Sequence, residues 1–338
     1  MREPAFWWQA GTGGPLVPLA ALYGAAAALR MHARGRPAGL PVICLGNLTV
    51  GGAGKTPAAL AVAQLLHAAH ERPFFLSRGY GGRLAGPLRV NPALHRAADV
   101  GDEPMLLARL APTVVARDRV AGAAFARSAG ASVIVMDDGF QNPSLAKDLS
   151  IVLVDGRRGI GNGRVIPAGP LRAPLELQLD RAQALIVVGA PDGAARVIEL
   201  AERRRIPLFH GRLEADRAVV KAIGQHKVLA FAGIADPEKF FATLTSAGIQ
   251  VANRAGFPDH HRFSAAEALD LVARAQTDNL MLLTTEKDLA RLAGEPKWRQ
   301  LAAHASALPV RLVIDELDRL REMVLTAVGN SRATALRR

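Results

Sequence analysis

The chain has 338 residues, 50% of them hydrophobic and 21% charged, which provides a core for about two domains and argues against a largely disordered protein. The formal charge of +12 favours anionic partners: nucleic acid, an anionic membrane or a phosphorylated substrate. Aromatic residues make up only 5%, and the sequence contains neither basic residues interleaved with aromatic ones nor a zinc-finger or helix-turn-helix pattern, so we expect no nucleic-acid partner. The single cysteine, Cys44, excludes an intramolecular disulfide.

Residues 1–35 predict a membrane-interacting helical segment with amphipathic character. Trp7 and Trp8 precede an apolar run over residues 15–29, and basic residues follow the run at Arg30, Arg34 and Arg36. The run is short for a membrane span of about 20 residues, and its positive charge lies on the wrong side for a secretory signal. Two interpretations stay open and are compatible: a helix in the lipid headgroup region, or a helix packed on the protein.

Apolar runs then alternate with Ala/Leu-rich amphipathic stretches, which is the pattern of parallel α/β units. Strands are predicted at residues 41–45, 73–77, 113–116, 132–136, 150–154, 184–188, 227–232, 249–252, 280–283 and 310–313. Helices are predicted at about 56–71, 103–110, 119–129, 237–247, 264–276 and 316–327.

The stretch "DGRRGIGNGRVIPAGPLRAP" is rich in Gly, Pro and Arg and predicts an ordered connector. We therefore expect a nucleotide-binding domain over 36–155, a connector over 156–175, a second α/β domain over 176–330 and a frayed tail over 331–338. The predicted fold is α/β and P-loop NTPase-like, with two α/β/α domains and a cleft between them.

The first strand leads into "GNLTVGGAGKTP", an imperfect P-loop in which Thr49 stands where the first glycine belongs. Small residues and a helix amino terminus let backbone N–H groups approach phosphate oxygens. Lys55 is predicted to reach the β- and γ-phosphates, and the Thr56 hydroxyl to hold Mg²⁺. The residues predicted to bind nucleotide are Thr49, Val50, Gly51, Gly52, Ala53, Gly54, Lys55 and Thr56.

A P-loop enzyme needs a second metal anchor at the end of a neighbouring strand. The stretch "SVIVMDDGFQ" places Asp137 and Asp138 there, and we predict that both bind Mg²⁺. The alternative is a polar strand end that caps a helix.

Two further polar clusters indicate chemistry. "DVGDEPMLL" places Asp102 and Glu103 before an apolar helix, where simple amino-terminal capping is the alternative. "GFPDHHRFS" places His260 and His261 beside Asp259 in a loop of the second half. A lone histidine is usually structural, and a histidine pair next to an acid is a stronger sign of proton chemistry, so both roles stay open here.

Together these motifs resemble the tetraacyldisaccharide 4′-kinase family of lipid A biosynthesis. The matching stretches occur in family order: "GNLTVGGAGKTP", "LSRGYGG", "GDEP", "ARDR", "MDDGFQ", "FAGIADPEKF", "FPDHHRF" and "LLTTEKD". The resemblance implies ATP- and Mg²⁺-dependent phosphorylation of the 4′-hydroxyl of a tetraacyldisaccharide 1-phosphate. It also implies two hinged α/β/α domains, peripheral at the cytoplasmic face of a bacterial inner membrane. No obligate protein partner is inferred.

The resemblance also implies roles for individual residues. Asp102 matches the catalytic carboxylate that accepts the sugar hydroxyl's proton, and His260 matches its partner from the other domain, with His261 as the rival. Asp137 and Asp138 match the paired acids near the metal. The predicted substrate contacts, beyond His261, are Arg78, Tyr80, Arg117, Arg119 and the nearby polar group Gln141. The stretch 284–288 receives no assignment.

A membrane-associated ParA/MinD-like ATPase switch is the alternative from another functional class. Such switches also have a Gly-Gly-x-Gly-Lys-Thr loop, but they carry an extra lysine at the position of Val50. The missing lysine and the histidine-bearing loop favour the kinase.

Overall fold

The structure is a computed structural model that describes residues 3–9, 11, 13–293 and 296–337. Within these residues the chain forms thirteen strands. They are β1 (Val42–Asn47), β2 (Pro73–Ser77), β3 (Leu88–Arg89), β4 (Thr113–Val115), β5 (Val133–Asp137), β6 (Leu149–Asp155), β7 (Ala184–Val188), β8 (Leu208–Ala215), β9 (Val228–Ala232), β10 (Val251–Gly256), β11 (Met281–Thr285), β12 (Ala305–Leu308) and β13 (Val310–Ile314).

Thirteen α-helices lie in the same described residues. They are α1 (Val17–His32), α2 (Lys55–Ala68), α3 (Ala97–Val100), α4 (Asp102–Leu107), α5 (Arg119–Ser128), α6 (Leu175–Asp180), α7 (Ala195–Arg203), α8 (Arg217–Ile223), α9 (Pro237–Ser246), α10 (Ala265–Thr277), α11 (Glu286–Leu292), α12 (Arg299–His304) and α13 (Leu317–Leu336). Short 3₁₀ helices cover Ala5–Trp8, Gly14–Leu16 and Pro296–Trp298.

The larger sheet has nine strands in the order β13-β8-β7-β6-β1-β5-β2-β4-β3. The strands from β8 to β4 pair in parallel, whereas β13 and β3 pair antiparallel at the two edges. Helices α2 and α13 cover one face, and α1, α5, α6 and α7 contribute to the core on the other. Because both faces are covered, β1 is buried at every position, which explains its continuous apolar sequence.

The smaller sheet has four parallel strands in the order β10-β9-β11-β12. Side chains of α10 and α12 pack on one face, and those of α8 and α9 pack on the other. These strands and helices form a second three-layer unit, which lies in the chain between β8 and β13.

The sheet topology corrects the predicted domain boundaries. The connector at 156–175 does not separate the two units, since β6 and β7 on either side of it are parallel neighbours in the larger sheet. It packs onto the predicted P-loop, where the backbone N–H of Val50 donates to the carbonyl of Pro170 at 2.8 Å. The expected domain over 176–330 therefore contributes β7, β8, β13 and most of α13 to the first unit, and the expected tail continues α13 to Leu336.

The amino-terminal segment folds against the connector. Trp7 is buried, and its Nε1 donates to the carbonyl of Pro167 at 3.0 Å. Helix α1 buries one face, at Ala20, Gly24, Ala27 and Met31, and exposes the apolar side chains of Leu19, Leu22, Tyr23 and Leu29 on the other. By length and composition alone, Gly14–His32 also qualifies as a candidate membrane span, with 22% of its window buried. Both expected features, a packed face and an apolar exposed face, occur in one helix.

Candidate active site

The loop between β1 and α2 has the backbone that phosphate binding requires. Gly51 and Gly54 have φ values of 103° and 89°, in the left-handed region that side-chain-bearing residues avoid. Lys55 and Thr56 begin α2 and are buried. The Lys55 ammonium donates to Asn47 Oδ1 at 3.3 Å, and Asn47 Nδ2 donates to the Gly51 carbonyl at 3.0 Å. The Asn47 side chain therefore ties the Lys55 ammonium to the backbone of the loop.

A set of unpartnered oxygen atoms lies at the end of β5 and the start of α2. Asp137 is only 1% exposed, and both of its carboxylate oxygens lack a hydrogen-bond partner, as does the buried Thr56 Oγ1. Burial, and then the neighbouring Glu103 and Asp138 carboxylates, raise the pKa of Asp137 to about 7. Oxygen ligands of this kind suit Mg²⁺, which would restore the missing partners and the missing positive charge.

Asp138, the second predicted metal ligand, is already paired with cations. Its Oδ1 accepts from Arg172 Nη1 at 2.7 Å and lies 3.7 Å from Lys55 Nζ. Burial opposes ionisation, but Lys55 and Arg172 outweigh it and lower the pKa of Asp138 to about 2. Of the two adjacent acids, Asp137 is thus the one whose two carboxylate oxygens are both buried without a partner.

The two predicted catalytic residues meet across the two units. Asp102 begins α4 and is 4% exposed, while His260 comes from the loop after β10. His260 Nδ1 lies 3.4 Å from Asp102 Oδ2, and Arg291 Nε lies 3.1 Å from the same oxygen. The Asp102 carboxylate therefore faces positive or donor groups from the second unit.

The two groups of this pair have shifted pKa values in opposite directions. Burial would raise the pKa of Asp102, but the neighbouring His260, Lys287 and Arg291 lower it to about 2. Interaction with Asp102 raises the pKa of His260 above its ordinary value, against burial, which lowers it. A carboxyl group with a pKa of about 2 is a weak base near neutral pH, and the neutral form of the neighbouring imidazole is the stronger proton acceptor of the two.

His261 has a different environment and does not share this contact. Its Nε2 lies 3.1 Å from a Glu267 carboxylate oxygen, and its ring stacks on Phe257 and contacts Phe263 edge-on, with centroid distances of 4.9 and 5.0 Å. The geometry therefore distinguishes the two histidines, with His260 beside Asp102 and His261 packed inside the second unit.

Four of the predicted substrate residues fall into three environments. The Tyr80 ring is 63% exposed and lies 5.1 Å from the His260 ring, so Tyr80 borders the catalytic pair. Gln141 Nε2 instead donates to the Asn47 carbonyl at 2.8 Å beneath the phosphate loop. Arg78 and Arg117 are exposed, and no side-chain hydrogen bond or ion pair of theirs occurs in the described part of the chain.

Arg119, the remaining predicted contact, is an unusual buried arginine. It is 2% exposed, its Nη1 donates to the Ala116 carbonyl at 2.5 Å, and its Nε has no partner. Burial and the nearby Arg78 both lower its pKa. A buried guanidinium without a carboxylate contact has capacity left to bind an anion.

Sequence reasoning missed three basic residues of the site. Arg172, in the connector, bridges Asp138 and the Thr49 carbonyl, to which its Nε donates at 3.1 Å. Lys287 and Arg291 belong to α11, which lies against α4. Lys287 Nζ donates to Glu103 Oε1 at 2.6 Å, and this carboxylate together with Asp102 raises the pKa of Lys287 although burial opposes the shift.

Arg291 links several parts of the site at once. Its Nη2 donates to the Gly233 carbonyl at 2.8 Å and lies 3.1 Å from Asp288 Oδ1, while its Nε faces Asp102. The backbone N–H of His260 donates to the same Gly233 carbonyl at 3.1 Å. The only available signal in the sequence was the position of "TTEKD" at the carboxyl end of a strand, where ligands collect in open sheets.

The fold and the site define the class of protein. A buried parallel strand, a glycine loop and a helix that begins with Lys-Thr stand beside a buried carboxylate at the end of the neighbouring strand, and this arrangement is that of a P-loop nucleotide-binding protein. The predicted fold class is confirmed.

The chain matches the family profile described as Tetraacyldisaccharide-1-P 4′-kinase over residues 14–329. It belongs to the tetraacyldisaccharide 4′-kinase family, which confirms the resemblance seen in the motifs.

Similar proteins agree with this assignment. The chain is 53% identical to the tetraacyldisaccharide 4′-kinase of Rhodopseudomonas palustris strain BisA53, with 98% of this chain and 97% of the relative covered. It is 55% identical to the enzyme of the same name from Methylobacterium radiotolerans, with 97% and 99% covered. The crystal structure of LpxK from Aquifex aeolicus in complex with ATP aligns with a TM-score of 0.69 and 27% identity, covering 94% of this chain and 99% of that one.

Proposed function

We infer that this protein is a kinase that transfers the γ-phosphoryl group of ATP to the 4′-hydroxyl of a tetraacyldisaccharide 1-phosphate. Membership of the family supports the kinase over the ATPase switch. The structural observation that carries the inference is the contact between Asp102 and His260, because it adds a base from the second unit to a phosphate loop in the first. A simple ATPase switch has no need of a base for a sugar alcohol.

The donor side of the reaction fits ATP and Mg²⁺. Lys55 and the backbone N–H groups of the loop would hold the β- and γ-phosphates, and Thr56 Oγ1 and the Asp137 carboxylate would hold the metal. Bound Mg²⁺ supplies neutralisation of the charge on the phosphate oxygens. Asp138 supports this arrangement indirectly, since it positions Lys55 and Arg172.

On the acceptor side we assign the role of base to His260, which reverses the roles expected from the sequence. Nδ1 of His260 lies 3.4 Å from Asp102 Oδ2, and Nε2 lies farther from a carboxylate, 3.8 Å from Asp259 Oδ2, so we assign Nε2 as the nitrogen that takes the hydroxyl proton. As the 4′-oxygen forms its bond to the γ-phosphorus, the bond from that phosphorus to the β–γ bridging oxygen breaks and ADP leaves. Asp102 orients the ring and stabilises the imidazolium that forms.

The acceptor is a lipid, and the exposed side of α1 supports docking at a membrane. Leu22 and Leu29 are 71% and 76% exposed, and Tyr23 lies between them. Such a face binds the interface between headgroups and acyl chains without crossing it. We therefore propose a peripheral enzyme at the cytoplasmic face of the inner membrane, where ATP is available, with Arg78, Tyr80 and Arg119 near the acceptor.

Transfer of radiolabel tests this proposal. The protein is incubated with γ-labelled ATP and tetraacyldisaccharide 1-phosphate in detergent micelles, and the label is expected at the 4′ position of the lipid. His260→Ala should lower kcat by about 10²- to 10⁴-fold, because proton transfer is lost, with little change in ATP affinity.

His261→Ala is the matched control, because His261 packs between Phe257 and Phe263. This variant should have a lower melting temperature than the wild type and should keep most of the wild-type kcat. Label released only as inorganic phosphate would contradict the kinase, and near-normal turnover of His260→Ala would contradict the base.

A further inference from the structure

A polar cavity outside the candidate active site lies at the carboxyl end of α1. It has a volume of about 540 Å³ and is bordered by residues 31–35, by the loop after β5 and by the segment between α6 and β7. Three basic side chains line it, Arg34, Lys147 and Arg181, and the described residues that line it include no Asp or Glu.

The positive charge of this cavity has no counter-ion. None of the three basic side chains takes part in an ion pair within the described part of the chain. Lys147 Nζ donates to the Asn142 carbonyl at 2.6 Å, and burial together with Arg181 lowers the pKa of Lys147. Asp148, the next residue, directs its Oδ2 to the backbone N–H of Val42 at 2.7 Å. Uncompensated cations around a concave surface attract an anion.

The cavity is separate from the candidate active site. Gln141 lines it, while the amide of the same side chain donates to the Asn47 carbonyl beneath the phosphate loop. The loop after β5 thus stands between the two sites. None of the nucleotide, metal or base residues named above, from Thr49 to Thr56 or at Asp137 and His260, lines the cavity.

The position of the cavity indicates the source of the anion. It lies at the carboxyl end of α1, whose exposed residue Leu29 comes two positions before Met31 in the sequence, and residues 31–35 line it. If the exposed face of α1 contacts acyl chains, the basic end of the helix lies at the level of the lipid phosphates. A membrane-bound phosphate would be presented here at high local concentration.

We propose that this cavity binds the phosphate of an anionic phospholipid headgroup and anchors the carboxyl end of α1 to the membrane. The inference rests on the proposed membrane docking of α1 and adds to it a specific headgroup site. Arg34 and Arg181 are the residues to test, because Lys147 also supports the loop that carries Gln141.

Vesicle binding tests the site. The full-length protein is sedimented with vesicles of phosphatidylcholine alone and with an equimolar mixture of phosphatidylcholine and phosphatidylglycerol. Arg34→Gln/Arg181→Gln should weaken binding to the mixed vesicles by about tenfold and leave binding to phosphatidylcholine unchanged. Its kinase turnover in detergent micelles should match that of the wild type, which shows that the variant is folded.

Arg217→Gln/Lys221→Gln is the matched control, because it removes the same charge from exposed positions on α8. An equal loss of vesicle binding in both double variants would show bulk electrostatic attraction and overturn the headgroup site.

Titration with inorganic phosphate separates the two possible sources of phosphate. Tight binding of free phosphate that depends on Arg34 and Arg181, without any effect on vesicles, would overturn the lipid assignment.

Leu22→Gln/Leu29→Gln separates the headgroup site from the proposed docking of α1. If this variant detaches from all vesicles while the arginine variant binds like the wild type, α1 docks and the headgroup site is refuted. Kinase turnover with the lipid acceptor in micelles is measured for every variant, so failure of the kinase assignment would be seen independently.

Discussion

Two buried aspartates of the site, Asp102 and Asp137, have the same side chain and opposite protonation behaviour. Asp102 is 4% exposed and Asp137 is 1% exposed. The pKa of Asp102 is about 2, since His260, Lys287 and Arg291 outweigh the effect of burial, whereas burial and neighbouring acids raise the pKa of Asp137 to about 7.

The difference shows how the two sides of the reaction are completed. The second unit provides the positive charge that Asp102 needs, so the acceptor side is assembled by protein groups alone. Asp137 has acidic neighbours and unpartnered oxygens, so we propose that a bound cation completes the donor side. Substitutions at each aspartate, and at the arginine beside one of them, test this contrast.

The largest effect is expected for Asp137→Asn. Loss of a metal-binding carboxylate should lower kcat by about 10³-fold, equivalent to several kcal/mol of transition-state stabilisation. Steady-state kinetics across a series of Mg²⁺ concentrations would measure it. An unchanged Mg²⁺ dependence would contradict the role of Asp137.

The same substitution should stabilise the protein when no metal is bound. Folding raises the pKa of Asp137 from 3.8 to about 7, so the folded protein favours the protonated form. The stabilisation that the protonated Asp137 carboxyl contributes to the folded state is complete below pH 3.8 and is lost as the pH rises through about 7. At pH 8 Asp137→Asn should therefore raise the free energy of unfolding by up to about 4 kcal/mol, measured by urea denaturation with a chelator. A lower stability would mean that Asp137 is already paired.

An intermediate effect is expected for Asp102→Asn. Without the carboxylate charge the raised pKa of His260 falls, so the acidic limb of the profile of kcat/KM against pH should move to lower pH. The ring also loses its orienting partner, and kcat should fall by about 10²-fold. A limb that stays in place would show that His260 titrates independently of Asp102.

The smallest effect on turnover is expected for Arg291→Met. The Arg291 charge lowers the pKa of His260, so its removal should move the acidic limb to higher pH, in the direction opposite to Asp102→Asn. Turnover should fall by about tenfold as Asp102 and the His260 loop lose a shared donor.

Arg291→Lys is the control, because it keeps the charge and should restore the wild-type limb with partial turnover. Movement of the limb in both Arg291 variants would indicate a purely structural effect, which thermal unfolding would reveal separately.

Local patterns in the sequence predicted much of the first unit. The glycine loop and the strands around it are recognisable because each is a continuous apolar run followed by polar residues at the sheet's carboxyl edge. Asp137 and Lys55 could be placed for this reason. The pairing of Asp102 with His260 came from the family resemblance, because nothing in the local sequence relates a helix start in one unit to a loop in the other.

Other parts depend on tertiary contacts. Strand β8 was not predicted, because buried Phe209 and Gly211 alternate with exposed His210 and Arg212. Arg212 finds partners both within β8 and beyond the end of β13, since it lies 2.9 Å from Glu214 and 2.6 Å from Asp315. The composition of residues 156–175 suggested a domain boundary, since a packed connector and a linker share the same Gly and Pro content. Arg172 was missed for that reason.

The chain crosses between the two units at two points that touch. Asp216, after β8, donates its backbone N–H to the carbonyl of Pro309, before β13, at 2.9 Å. The two chain connections to the second unit therefore lie side by side at one edge of the larger sheet, where they could act as a hinge. Opening about this hinge would carry His260, Lys287 and Arg291 away from the first unit together. Release of product and separation of His260 from Asp102 would then occur in one motion, and we expect that no open state would keep this pair together beside ATP.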